Sequence, residues 1–202
     1  MGNIELNQLE LDAIGEISNI CLGNGASSLE MLTRQDIDIT PPKISILNRG
    51  DAIKQNKEKK VIVKVTYVQG LEGCSILILD EESTRMIADL MMGSDGTGDF
   101  YKMDLNDMHF SAISEAMNQM MGAAATSMST MIGRATDIST PQTEHMDKGT
   151  FISHEFPNDD RFVEVSFHMK IGDKMNTRMY QLFPYNLAKA ISDLYLIKKG
   201  IV

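Results

Sequence analysis

From residue 8 to residue 33 apolar side chains recur every three or four positions, the spacing of one buried helix face, so the pattern predicts a long helix there. Gly23 and Gly25 predict a break inside it. Residues 36–47 (DIDITPPKISIL) alternate as a strand interrupted by a proline pair. Residues 60–68 and 74–80 are β-branched or alternating and predict two strands, with Gly70 and Gly73 at the turn between them. Asp80 or Ser83 is placed to cap a helix over 82–92. Then the pattern starts again. A second long helix is predicted over 105–133, a second strand pair over 161–171 and 175–183, and a last helix over 184–197 with Pro184 at its start.

The recurrence extends to residue identities. Residues 11–42 align with 110–141 without a gap at an offset of 99, and ten of the 32 positions are identical. The identities include Glu16/Glu115, Asn19/Asn118, Gly23/Gly122 and Pro42/Pro141. Further on, Val63–Tyr67 pairs with Val163–Phe167, and Ile87–Leu90 with Ile191–Leu194. The chain therefore divides into halves, about 8–92 and 105–200, joined by a Gly-rich linker over 93–104 that begins GSDGTGD. The expectation is a single domain over 1–202 in which two pseudo-symmetric halves share one fold. Its class is α+β, with an antiparallel sheet and two long helices on one face.

Charge and composition narrow the function. The net charge of −9 disfavours nucleic acid. No apolar run approaches the ~20 residues of a membrane span. The first residues lack a basic-then-apolar leader, and Leu6 stands where a myristoylation signal needs Ser or Thr. The two cysteines, Cys21 and Cys74, form no CxxC pair, which fits a reducing cytoplasm. Sixteen methionines read as fillers of irregular core gaps.

One feature is not explained by packing. On a helical wheel Asp12, Glu16, Asn19 and Gly23 fall in a narrow arc, with Leu11, Ile14, Ile17, Cys21 and Leu22 opposite. Ser111, Glu115, Asn118 and Gly122 repeat the stripe, with Phe110, Ile113, Met117, Met120 and Met121 opposite. A solvated helix face would account for one Glu-x-x-Asn. It does not account for two diverged copies agreeing at Glu and Asn, because water tolerates any polar residue there. A second bland reading has each Asn binding a neighbouring helix. Asn is a mediocre helix former, so its place in mid-helix twice suggests that the amide is used.

The usual catalytic arrangements are missing from the sequence. There is no GxSxG, no paired Cys and His, no CX5R loop and no P-loop. His109, His145, His154 and His168 lack metal-ligand spacing and read as scattered residues, although His109 lies close to Ser111. No cofactor or metal is expected in the chain. An Asn amide can accept a hydrogen from water and donate to a phosphoryl oxygen, which positions water for in-line attack. A nearby Glu can pair with a partner's cation. Such a site would be completed by a partner that already holds phosphate and metal.

Both copies extend to a proline: Asp12-x3-Glu16-x2-Asn19-x22-Pro42 and Ser111-x3-Glu115-x2-Asn118-x22-Pro141. This resembles the signature of the CheC/FliY/CheX chemotaxis phosphatases, and residues 115–141 look most like the FliY branch. The resemblance covers essentially the whole chain. It implies a phosphatase acting on the aspartyl phosphate of the response regulator CheY in the cytoplasm, at or near the flagellar motor switch. By that resemblance Asn19 and Asn118 would orient the attacking water, and Glu16 and Glu115 would pair with the regulator's lysine. Asp12 and Ser111 would shape the helix start or its hydrogen bonds. Pro42 and Pro141 would mark a turn, and the small residues 23–26 and 122–125 would allow close helix approach. CheY would supply its own Mg²⁺. The resemblance also brings the switch proteins FliM and FliG, or the deamidase CheD, into view as partners. FliY carries a CheY-binding peptide ahead of this region and a FliN-like domain behind it, and neither is recognisable in these residues. The alternative reading is a non-catalytic binding module, a switch scaffold or a CheD- or CheY-binding protein. An enzyme acting on a small molecule lacks any motif in its favour.

Overall fold

The computed structural model describes residues 5–54 and 58–202. The first half contains helix α1 (Gln8–Thr33), strands β1 (Ile37–Ile39) and β2 (Lys43–Asn48), helix α2 (Arg49–Lys54), strands β3 (Lys59–Gln69) and β4 (Cys74–Leu79), and helix α3 (Glu81–Met91). A short helix α4 (Asp99–Lys102) follows. The second half repeats the order: α5 (Asp107–Ile132), β5 (Asp137–Ile138), β6 (Gln142–Asp147), α6 (Lys148–Glu155), β7 (Arg161–Ile171), β8 (Met175–Pro184) and α7 (Tyr185–Lys198).

All described strands join one antiparallel sheet, and they join it crosswise. β3–β4 and β7–β8 are hairpins, and β4 pairs with β8 at the centre. β1 and β2 of the first half pair with β7 of the second, while β5 and β6 pair with β3 of the first. Each half thus completes the other's sheet edge. The strand interruption expected at the prolines is present: Pro42 lies between β1 and β2, and Pro141 between β5 and β6. Backbone bonds bridge both breaks, from Thr40 N to His168 O at 3.0 Å and from Ser139 N to Thr66 O at 2.9 Å.

Register locates the pseudo-symmetry. Asn48 pairs with Arg161 and Asp147 with Lys59, so β3 and β7 correspond at an offset of 102. Val63 therefore corresponds to Val165, and the sequence match of Val63 with Val163 is two residues out of register. The error is invisible in the pattern because strand alternation has a period of two, so a two-residue slip keeps every side chain on its face. β4 and β8 correspond at an offset of 104, and the Leu77↔Gln181 pair lies on the pseudo-two-fold axis.

Alternation assigns the two faces of the sheet. Val61, Val63, Val65, Leu77, Val163, Val165, Phe167 and Phe183 face α1, α3, α5 and α7 across one core. Ile62, Ile76, Phe162 and Leu182 face the other way and are covered by α2 and α6 through Ala52, Phe151 and Ile152. The sequence pattern did not announce α2 or α6, because segments of six and eight residues are too short to show a helical period. The symmetry keeps faces, so its axis is roughly normal to the sheet. α1 and α5 are therefore antiparallel neighbours.

α1 runs unbroken through Gly23–Gly25, contrary to the expected break. Tertiary packing outweighs the local propensity. A Cβ built on Gly25 would lie 2.9 Å from both the Cγ and the carbonyl oxygen of Met120 on α5, so this glycine sets how closely the long helices approach. Asn24 Nδ2 donates to Ser127 Oγ beside the crossing, at 2.8 Å.

Both long helices begin with a reciprocal cap at residues 99 apart. Asn7 Oδ1 accepts from Glu10 N at 3.0 Å, and Glu10 Oε2 accepts from Asn7 N at 2.7 Å. Asn106 Oδ1 accepts from Met108 N at 3.0 Å and from His109 N at 3.4 Å, and the imidazole Nδ1 of His109 accepts from Asn106 N at 3.2 Å. With Nδ1 accepting, Nε2 carries the proton and donates to Phe100 O at 2.7 Å. His109 is fully buried and both its nitrogens are used, so it is a cap and not a catalyst.

The segment joining the halves is held down despite its glycines. Buried Asp89 on α3 accepts from the backbone N–H of Gly96 (3.0 Å), Gly98 (3.2 Å) and Tyr101 (3.3 Å). Asp80 caps α3 by accepting from Ser83 N at 2.6 Å.

Two stability changes should follow. Gly25→Ala forces a methyl into the Met120 backbone and should cost about 1–3 kcal/mol in urea denaturation, although alanine is the better helix former. Asp89→Ala leaves three amides without their charged acceptor and should cost about 2–3 kcal/mol. Hydrogen exchange at Gly96, Gly98 and Tyr101 should quicken in that variant.

Candidate functional site

The two polar stripes emerge on the solvent side of α1 and α5. Asp12, Glu16 and Asn19 are exposed, as are Ser111, Glu115 and Asn118. The residues that point the other way fix this orientation: Ala13, Ile14, Ile17, Cys21 and Leu22 on α1, and Ala112, Ile113, Met117, Met120 and Met121 on α5, are buried. Because the helices run antiparallel, the stripes lie toward opposite ends of the pair. Four of the sixteen methionines thus build the core of one motif helix: Met117, Met120, Met121 and Met128.

Neither Asn19 nor Asn118 spends its side-chain amide on a neighbour among the described residues, so the reading in which Asn ties two helices together is not supported. Helix–helix bridging is carried instead by Asn24. The glutamates have different surroundings. Gln119 Nε2 donates to Glu115 Oε1 at 2.6 Å within α5. In the first copy Ile20 stands in the place of Gln119, so that bond has no counterpart, and the Glu16 carboxylate acts electrostatically on Tyr195 of α7. Burial, together with that carboxylate, pushes the Tyr195 phenol up to about 12, so it remains a donor at neutral pH. Its counterpart in the first half, at an offset of 104, is Met91, which cannot donate.

The supporting residues of the signature are less central. Asp12 Oδ1 accepts from Gln8 Nε2 at 2.7 Å one turn earlier on the surface. The helix starts themselves are set by Asn7 and Asn106, which the sequence reading missed. These two asparagines also recur at an offset of 99, so the signal lay just before the aligned block. Pro42 is half-buried and Pro141 buried, both far along the chain from the carboxylates and fixed in the strand breaks. The expected close approach through residues 23–26 and 122–125 is made by Gly25. Gly23 and Gly122 face open space, with nothing within 4 Å of a built Cβ.

The arrangement lacks an activated nucleophile. Cys21 is buried in the core, where desolvation pushes its thiol up to about 12, out of reach as a thiolate. His145 bonds Glu81 Oε1 at 2.7 Å, and His168 lies 3.1 Å from Arg178 Nη2 on the sheet. His154 is exposed beside Glu155. Among the described residues no group of three or more His, Cys, Asp or Glu is placed to hold a metal ion, and no helix is long and apolar enough to cross a membrane. What remains on the stripe is a carboxylate and, three residues on and just under one helical turn away, an amide, twice. It is equipped to orient a water and to meet a cation, and it offers no covalent step of its own.

Known proteins carry the same pattern. The profile of the CheC-like family matches residues 9–46 and 108–145, which are the two copies of the stripe with their following strands. The flagellar motor switch phosphatase FliY of Bacillus subtilis (strain 168) is 41% identical over 189 residues, covering 92% of this chain and 49% of that protein. The chain therefore spans about half the length of this relative. A Halobacterium salinarum protein named as a CheY-P phosphatase of the CheC type is 29% identical over 136 residues, covering 65% of this chain and 67% of that one. The crystal structure of Thermotoga maritima FliY superposes with a TM-score of 0.87 at 35% identity, covering 96% of this chain and all of that one. Shared along almost the full chain with FliY, and centred on the two stripes, this likeness places the protein in the CheC-like family, in its FliY branch.

Proposed function

We propose that this chain hydrolyses the aspartyl phosphate of CheY, using Glu16 with Asn19 and Glu115 with Asn118. The observation that carries the reading is the duplicated, outward-facing Glu-x-x-Asn whose asparagine amides have no partner among the described residues. An acyl phosphate with bound metal is already activated, so the barrier is lowered chiefly by placing water in line with the phosphorus. The Asn amide oxygen accepts a hydrogen of that water, and its N–H₂ faces a phosphoryl oxygen. Water adds at phosphorus, the bond to the aspartyl oxygen breaks, and inorganic phosphate and a free carboxylate remain. The glutamate pairs with the regulator's lysine and sets the docking register. CheY brings the Mg²⁺ and the phosphoaspartate, so this chain contributes the missing orienting groups alone. Asp12, Ser111, Pro42 and Pro141 belong to the signature but take no part in the step, Asp12 bonding Gln8 within α1 and the prolines lying in the strand breaks.

The names of two relatives support this reading, one as a motor switch phosphatase and one as a CheY-P phosphatase. By the same reasoning the protein works in the cytoplasm at the motor switch, where FliM and FliG are its neighbours, or alternatively with CheD.

The test follows loss of labelled phosphate from CheY of the same organism. Wild type should accelerate it. Asn19→Ala and Asn118→Ala should each remove part of the acceleration, and the double variant should lose about 100-fold or more with its circular dichroism unchanged. Folded wild-type protein that leaves the decay unchanged would overturn the proposal in favour of a CheY-binding scaffold.

A further inference from the structure

Each stripe ends in a glycine that the fold does not need. Gly23 follows Asn19 by four residues and Gly122 follows Asn118 by four, one turn on along the same face. Each lies well inside a 26-residue helix, where glycine is the worst choice short of proline. Three reasons commonly keep a glycine in such a place: a positive φ, a close contact inside the protein, or a close contact with something outside it. Neither residue is among the positive-φ glycines. Neither has anything within 4 Å of a built Cβ among the described residues, so no internal contact requires it. Two residues on from Gly23, Gly25 shows what an internal reason looks like, with Met120 at 2.9 Å.

We infer that Gly23 and Gly122 are positioning residues that leave the helix backbone bare so that phosphorylated CheY can close down onto the stripe. This rests on the function proposed above and adds residues that touch neither water nor phosphate in that mechanism. An in-line water held by an Asn amide requires the partner's phosphoaspartate to come within hydrogen-bond range of a residue on a helix surface. Side chains one turn away would stand between the helix and the partner. Glycine at that turn removes the obstruction and also lets the two surfaces meet at backbone distance. Where the neighbours of the asparagines have diverged, with Ile20 in one copy and Gln119 in the other, the glycine has not. The two stripes thus share three residues in register, Glu, Asn and Gly, of which only the first two carry functional groups.

The inference makes stability and activity move in opposite directions. Gly→Ala on an open helix face improves helix propensity, so Gly23→Ala/Gly122→Ala should melt at the same temperature as wild type or higher. The same variant should raise KM for CheY-P about tenfold, with kcat changed much less, because the methyl obstructs docking and leaves the amide and carboxylate in place. Gly23→Leu/Gly122→Leu should lose turnover while keeping the wild-type circular dichroism. Gly25→Ala serves as the contrasting control, since it should lower the melting temperature. Wild-type kinetics in the Ala variant would overturn the inference and leave the phosphatase reading standing. So would a fall in melting temperature and activity together, which would make the glycines structural. A wild-type protein without phosphatase activity would remove the proposed function and this inference with it.

Discussion

The rest of the molecule depends on the antiparallel pairing of β4 with β8. It places one strand of each hairpin at the centre of the sheet, with Leu77 and Gln181 facing each other on the axis. A two-fold normal to the sheet then sends equivalent helices to the same face in opposite directions. α1 and α5 become neighbours, and their meeting is close because Gly25 admits Met120. The outward stripes are a consequence: once the apolar faces of both helices are committed to the sheet and to each other, the remaining arc faces water. The capping boxes at Asn7 and Asn106 fix where each helix starts, and hence which residues occupy that arc.

Symmetry of the backbone does not impose symmetry of the side chains. Glu115 accepts from Gln119 of its own helix, whereas Ile20 in the equivalent place gives Glu16 no such donor. The box acid Glu10 has an imidazole as its counterpart, and buried Asp89, which anchors the incoming segment of α5, corresponds to Asp193, which bonds Lys189 at 2.5 Å. Lys189 in turn meets Glu10 at 2.6 Å at the start of α1. Both acids therefore serve the entry of a motif helix, one directly and one through a lysine. Hydrogen bonds can be rebuilt from different residues so long as the backbone geometry is kept, and this is where the two copies have drifted.

The sequence made the repeat, the stripe and the strand interruption legible because each depends on spacing, and spacing survives divergence. Register was less legible: Val63 matched Val163 by pattern while the sheet aligns it with Val165. α2 and α6 were hidden by their length. His109 read as one more scattered histidine lying close to Ser111, and only burial and its two hydrogen bonds assign it to the cap. Gly23 and Gly25 are indistinguishable as letters, and both suggested a break. The fold separates them, since one is required by a neighbouring helix and the other by nothing within the chain.

The crosswise sheet carries a consequence for how such a protein can change. β1 and β2 cover the edge of β7, and β5 and β6 cover the edge of β3. Cutting the chain between its halves would leave each hairpin with an unsatisfied edge and each leading strand without a partner. A half standing alone would need a second copy of itself to cover that edge. A substitution on one exposed stripe leaves this pairing intact, but the segment that bears the stripe must stay, because the other half is built on it.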